Sequence, residues 1–216
     1  ISENRPEWLI SDLSIMLSGG ITVPAYTTYT ERDYEYIIND CEPSILIISD
    51  KILYSKIKEI VPKKKFIKKI IFFEHIDNFN KEFHLYIDEI FENKTNNNFD
   101  FFNLEIQRKD VACIIYTSGT QGKPKGVMLS HGGILNNCEG AHVLLKEFIS
   151  KNPKFLTWLP LSHSYEHTVQ FVQIVVGAKI FYAESLDKLI KNMGHCSPEI
   201  MTAVPRFYQN LYQKIN

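Results

Sequence analysis

The sequence predicts an α/β protein of two successive βα lobes, with mostly parallel sheets covered by helices. Three observations carry this. Amphipathic stretches at helical spacing alternate with short apolar, β-branched runs from Pro6 to Val204, the pattern of strands buried on both faces. A polar stretch at 92–109, with Asn96-Asn97-Asn98, interrupts that alternation, as a boundary between lobes would. The apolar run Val111–Tyr116 then breaks abruptly into a loop of glycines, hydroxyls and lysines.

Pro6 to Gly19 reads as a helix, with proline near its start, the Gly19-Gly20 pair after it, and Leu9, Leu13 and Met16 on one face. Ile21 to Pro24 is a short strand, and Glu31 to Asp40 a helix closed by Pro43-Ser44. Ile45 to Ile48 is a strand, Ile52 to Val61 a helix, and Lys68 to Phe73 a strand. Tyr86 to Phe91 reads as one or two helical turns before the polar stretch. Order resumes with the strand Val111–Tyr116, and a helix begins near Ser130. Ile134, Cys138, Ala141, Leu145 and Phe148, spaced by four and three, give that helix one buried stripe. Phe155–Leu159, Lys179–Tyr182 and Glu199–Val204 read as strands; Thr168–Val176 and Leu186–Met193 read as helices. The lobes are then 1–109 and 110–216.

Composition sets the outer bounds. In 216 residues, 44% are hydrophobic and 23% charged, as in an ordinary globular protein. A formal net charge of −1 gives no reason to expect nucleic acid as a partner. No apolar run reaches the roughly 18 residues of a membrane-spanning helix, and no secretory signal opens the chain. Cys41, Cys113, Cys138 and Cys196 stand far apart without a C-x-x-C, which fits free thiols in a reducing cytoplasm. Lys63, Lys64, Lys65, Lys68 and Lys69 could meet anionic lipid. With no apolar amphipathic segment beside them, they read as a solvated loop entering a strand. The start, Ile1-Ser2-Glu3-Asn4-Arg5-Pro6-Glu7-Trp8, lacks an initiator Met, and the end at Ile215-Asn216 falls inside an apparent helix, so the sequence reads as a fragment.

The segment Ile114–Asn137, IIYTSGTQGKPKGVMLSHGGILNN, holds most of the functional information. Strand, phosphate-sized loop, then helix would present backbone N–H groups to an anion. Gly119, Gly122 and Gly126 permit close approach; Thr117, Ser118 and Thr120 offer hydroxyls; Lys123 and Lys125 supply charge against a polyphosphate. The loop is not a Walker A, G-x-x-x-x-G-K-(S/T): Pro124 follows Gly122-Lys123, and no glycine stands five residues before Gly122.

The loop resembles the phosphate-binding signature of the adenylate-forming superfamily, (Y/F)-T-(S/T)-G-(S/T)-T-G-x-P-K-G-V. Eleven of the twelve positions from Tyr116 to Val127 agree. The departure is Gln121, where a Ser or Thr is usual; it keeps a donor and an acceptor. A second cluster, Trp158-Leu159-Pro160-Leu161-Ser162-His163-Ser164-Tyr165-Glu166-His167, follows the next strand. Ligands of open α/β sheets sit beyond such strand ends, so both segments are expected to face one crevice. LPLSHSYEH is similar to the Leu-Pro-Leu-x-His pattern of long-chain acyl-CoA synthetases. Ala203-Val204-Pro205-Arg206-Phe207-Tyr208 resembles a Pro-Arg segment of the same branch. The spacing of His163 and His167 also suits a metal pair, although no H-E-x-x-H order or third ligand accompanies it. Trp158 reads as core.

The resemblance implies an incomplete N-terminal domain of an adenylate-forming enzyme, with ATP, magnesium and coenzyme A as cofactor and co-substrates and a fatty acid as substrate. A carboxylate, already nucleophilic at neutral pH, attacks the α-phosphorus of ATP and pyrophosphate leaves; the thiol of coenzyme A then displaces AMP. Thr117, Ser118, Gly119, Thr120, Gln121, Gly122, Lys123 and Lys125 would hold ATP and pyrophosphate, with Thr117 the magnesium ligand. Lys123, Lys125 and His163 would be catalytic. His163, Tyr165, Glu166 and His167 would line the acyl pocket, His167 where some relatives place a gate. Peripheral membrane contact would suit a long-chain substrate. Tyr-Gly-x-Thr-Glu, Tyr-x-Thr-Gly-Asp and the C-terminal lysine lobe of the family are absent from this sequence, so residues 1–216 alone are expected to bind nucleotide weakly and turn over nothing. Two alternatives stay open: an adenylation domain for another carboxylic or amino acid, and a non-catalytic nucleotide-binding module.

Overall fold

The computed structural model describes residues 1–77, 80–92, 105–117 and 124–215. The chain divides into two compact units, Ile1–Gly132 and Gly133–Asn216.

The first unit opens with α1 (Pro6–Leu17), started by its proline and stopped where Gly19 turns left-handed at φ 77°. α2 (Glu31–Cys41) begins with a full capping box between Thr30 and Asp33 and ends on a left-handed Glu42 before Pro43. Then come β1 (Ile45–Ile48), α3 (Lys51–Ser55) capped by Asp50, β2 (Lys69–Phe72), β3 (His84–Tyr86) and α4 (Ile87–Glu92). The three strands form one parallel sheet in the order β1-β2-β3. Ile48, Ile70 and Phe72 from the sheet, Tyr34 and Ile38 from α2, and Ile57 after α3 make its core.

Several elements depart from expectation. The helix read over 52–61 stops at Ser55, and turns and a 3-10 segment at Val61–Lys63 replace the rest; Pro62 disfavours α geometry at Val61 alone. The expected strand at 21–24 is a single parallel bridge, Thr22 to Cys113. β3 has no counterpart in the sequence reading. Two of the five grouped lysines are held by backbone carbonyls: Lys68 Nζ donates to Lys65 O, and Lys69 Nζ to Glu82 O.

The largest correction concerns the glycine-rich segment. β4 (Val111–Thr117) is followed by a second strand, β5 (Lys125–Ser130), paired antiparallel to it, and only then by α5 (His131–Leu145). The loop therefore tips a β-hairpin and does not run into a helix N-terminus. The hairpin also belongs to the first compact unit, which ends at Gly132. Thr22 N–H donates to Ala112 O, Ile114 N–H to Thr22 O, and Tyr116 hydroxyl to Asp40, tying β4 to the elements before it.

In the second unit, α5 buries Ile134 and Cys138 and half-buries Ala141 and Leu145, but Phe148, beyond its end, is 82% exposed. β6 (Lys154–Thr157), α6 (Ser164–Val175), β7 (Lys179–Tyr182), α7 (Leu189–Cys196), β8 (Ile200–Met201) and α8 (Pro205–Ile215) follow. The strands are parallel, in the order β7-β6-β8. Leu156, Leu189 and Cys196 centre the core, with Trp158, Phe181, Met201 and Phe207 packed on them. α6 starts four residues earlier than expected because His163 caps it, its Nδ1 accepting from Tyr165 N–H.

Candidate functional site

Two segments carry the polar chemistry, one in each unit. In the first unit, β4 and β5 bring Thr117 and Lys125 directly opposite one another at the base of the hairpin loop. Both are exposed, so a hydroxyl and an ammonium stand together at its mouth. Ser118, Gly119, Thr120, Gln121, Gly122 and Lys123 lie outside the described residues.

The hairpin base is fixed from below. Tyr116, one residue before Thr117, is buried; its hydroxyl donates to Asp40 Oδ2 at 2.6 Å, near the end of α2. Burial, then the bond to Asp40, pushes this phenol well above the ordinary tyrosine range, so it stays a donor at any working pH. Tyr29 hydroxyl reaches Tyr116 O at 3.4 Å. The loop carrying Tyr29 is held by Lys56 Nζ, which donates to Thr27 O and Tyr29 O. Gly126 pairs with Tyr116 across the ladder, and a Cβ there would come within 2.8 Å of Ile114 Cγ2. Sequence reasoning missed Asp40, Tyr29 and Lys56. Only the aromatic density of Tyr26-Thr27-Thr28-Tyr29 could have drawn attention to that loop.

In the second unit, α6 starts just past the carboxyl end of the central strand β6. The helix divides the expected pocket residues between two faces. His163 and Tyr165 are exposed, Tyr165 by 50%, whereas Glu166 and His167 are 0% and 2% exposed. His167 packs its ring against Phe171 at 5.1 Å. Glu166 points beneath the sheet end, where Thr202 hydroxyl donates to its Oε2. Its other oxygen, Oε1, is buried with no hydrogen-bond partner. Burial pushes the Glu166 carboxyl up to about 7, against the pull of the Thr202 and Thr157 hydroxyls. Beside it, Gln170 Nε2 donates to Gln173 Oε1, Gln173 Nε2 to Thr157 Oγ1, and Tyr182 hydroxyl to Gln170 Oε1. Trp158 Nε1 donates to Thr202 O at 2.6 Å, so this tryptophan has a bond as well as a packing role.

The opposed exposures of His163 and His167 give no metal pair, and among the described residues no group of three or more His, Cys, Asp or Glu could hold a metal ion. The four cysteines are free; burial pushes the Cys113 thiol up to about 12, which makes it inert. Among the described residues no helix is long and apolar enough to cross a membrane.

A family profile described as AMP-binding enzyme matches residues 1–216. The chain belongs to the AMP-binding enzyme family. Among its relatives, Long chain acyl-CoA synthetase 4 of Arabidopsis thaliana is 32% identical over 97% of this chain and 33% of the relative. Fatty acyl-CoA synthetase A of Dictyostelium discoideum is 29% identical over 99% of this chain and 32% of the relative. The chain thus spans about a third of the length of the curated AMP-binding relatives it matches. Solved structures agree in fold. A long-chain-fatty-acid-CoA ligase from Archaeoglobus fulgidus superposes with a TM-score of 0.75 at 24% identity, over 94% of this chain and 39% of that one. An o-succinylbenzoate coenzyme A synthetase from Bacillus subtilis, solved with ATP and a magnesium ion, gives 0.72 at 18% identity, over 98% and 40%.

Proposed function

We propose that the chain is part of an ATP-dependent, AMP-forming long-chain fatty acid–CoA ligase. One observation carries this reading: relatives 28–32% identical over almost the whole chain are acyl-CoA synthetases for long-chain or fatty acids. The enzyme joins a carboxylate to the adenosine end of ATP, releases pyrophosphate, and passes the acyl group to coenzyme A.

Thr117 and Lys125 receive the phosphate tail at the hairpin mouth, with Ser118, Gly119, Thr120, Gln121, Gly122 and Lys123 completing the grip. Because a carboxylate needs no general base, catalysis is positioning and charge stabilisation. Lys123 and Lys125 offset the charge that grows on pyrophosphate. His163 meets the reacting carboxylate and the α-phosphate; Tyr165 offers its exposed ring to the acyl chain, with Glu166 and His167 behind it. Magnesium prefers phosphate oxygens and water to an all-protein cage. The donor set fits an ion that arrives with the nucleotide: Thr117 contributes one exposed hydroxyl at the loop mouth. The metal, when bound, neutralises phosphate charge.

The complete protein, given ATP, magnesium and a panel of carboxylic acids, should release pyrophosphate fastest with long acyl chains. A preference for acetate, an aryl acid or an amino acid would replace the long-chain reading by another adenylation specificity. Nucleotide binding without turnover would leave a binding module. Lys125→Ala should lower kcat by about tenfold to a hundredfold, the range for one lost charged hydrogen bond. Residues 1–216 alone should bind nucleotide weakly and form no acyl-adenylate. Free thiols suit a reducing compartment, and a cytoplasmic protein with peripheral lipid contact should float with anionic liposomes.

A further inference from the structure

Glu166 is buried in a way the acid-activation chemistry does not explain. It is the third residue of α6, in the same turn as His163 and Tyr165, yet it faces the opposite way. Its carboxylate accepts from Thr202, on the segment between β8 and α8. The same Thr202 accepts the Trp158 indole N–H through its carbonyl. One residue therefore links the α6 first turn, the end of β6 and the entry to α8. Burying a carboxylate costs stability unless it is fully paired, and here Oε1 has no partner. A glutamine or a leucine would satisfy the packing more cheaply, so a purely structural role does not account for the acid.

Resting on the function proposed above, we infer that Glu166 is a positioning residue: through Thr202 it sets the orientation of the α6 first turn and hence of His163 and Tyr165. The ionised carboxylate accepts from the Thr202 hydroxyl, with the Thr157 hydroxyl close enough to favour its charge. The acid form must instead donate one proton, which competes with those donors and loosens the turn. Its ionisation is set by burial and the two hydroxyls, with no charged neighbour contributing. The titratable groups on the surrounding elements are His163, Tyr165 and His167 on or capping α6, Lys154 on β6, Lys179 and Tyr182 on β7, Lys191, His195 and Cys196 on α7, and Arg206, Tyr208, Tyr212 and Lys214 on α8.

The test uses the complete protein and two readouts. In steady-state pyrophosphate release, kcat/KM for the fatty acid should rise with pH through an inflection near 7, with KM for ATP flat. Glu166→Gln should remove that inflection and lower kcat/KM for the acid at pH 8 by about tenfold, the low end for one lost charged hydrogen bond. Thr202→Val should move the inflection to higher pH, because a donor to the carboxylate is gone; Thr202→Ser should restore it. The second readout needs no activity. With 5-fluorotryptophan incorporated and the Trp158 signal assigned by Trp158→Phe, that signal should titrate near pH 7 in the wild type and stay flat in Glu166→Gln. An active wild type whose Glu166→Gln variant keeps the wild-type pH profile and kcat/KM overturns the inference. A wild type that activates no carboxylate overturns the proposed function instead, and the fluorine titration then decides the clamp: a flat wild-type signal overturns it. If Glu166→Gln does not fold, the Thr202→Val and Thr202→Ser pair decides by the same two readouts.

Discussion

Glu166 also makes a prediction about stability that is independent of catalysis. Its folded pKa, about 7, lies above the ordinary 4.5. Between those values the folded state holds a proton the unfolded state has lost, so stability falls as pH rises through that window and stays reduced above it. The full penalty is about 3 kcal/mol. Glu166→Gln should therefore stabilise the protein by up to about that amount at pH 8 and by almost nothing at pH 4.5, measured by urea titration at both values. Equal effects at the two pH values would mean that the carboxyl is not desolvated. The sequence located the cluster that contains this residue but could not sort it. With the helix read from Thr168, the inward and outward positions of 163–167 stay unassigned. With the start at Ser164, the helical period sends Glu166, His167, Gln170 and Gln173 inward and leaves His163 and Tyr165 outside. Thr202, thirty-six residues away in sequence, carries no local signal of its role.

At the level of elements, most helices and strands followed from caps and periodicity, and the failures came where pairing partners are remote. β5 was hidden because Pro124 and two flanking glycines suggested continuing loop, while what makes 125–130 a strand is the register against β4. Two close approaches, one inside the hairpin and one at the start of α5 behind it, rank the glycines there. A Cβ at Gly126 would meet the Ile114 side chain at 2.8 Å, which a rotamer change can relieve. A Cβ at Gly132 would meet the backbone carbonyl of Arg108 at 2.7 Å, the same oxygen that Gly132 N–H donates to, and only main-chain movement relieves that. Gly126→Ala should cost about 1–2 kcal/mol and Gly132→Ala more, about 3 kcal/mol. Chemical denaturation orders them; a costlier Gly126→Ala would show the 131–132 junction to be soft. Away from the hairpin, Thr30→Ala removes one half of the α2 capping box and should cost about 1 kcal/mol.

The whole molecule combines two units whose buried titratable groups respond to pH in opposite senses. His84 in β3 sits among the rings of Tyr54, Phe72 and Phe83, and its Nδ1 accepts from Asn80 N–H. Burial lowers its pKa below the ordinary 6.5. Folding favours its neutral form, so stability is complete above 6.5, falls as pH drops from 6.5 to the depressed value, and stays reduced below it. Glu166 has the reverse dependence, its unit gaining stability as pH falls from about 7. The chain has two tryptophans, Trp8 in the first unit and Trp158 in the second, so each unit has its own fluorophore. In 216-residue chains carrying Trp158→Phe or Trp8→Phe, acidification from pH 7.5 to 5.5 should lower the urea midpoint reported by Trp8 and raise the one reported by Trp158. His84 is not alone in the first unit, because burial also lowers the Ile1 amino group to about 6 and removes stability over the same window; His84→Gln should therefore reduce the first shift, and Glu166→Gln should flatten the second. Midpoints that move in the same direction would place the controlling ionisations elsewhere, and an unchanged Trp158 midpoint would remove Glu166 as the group that couples this fold to pH.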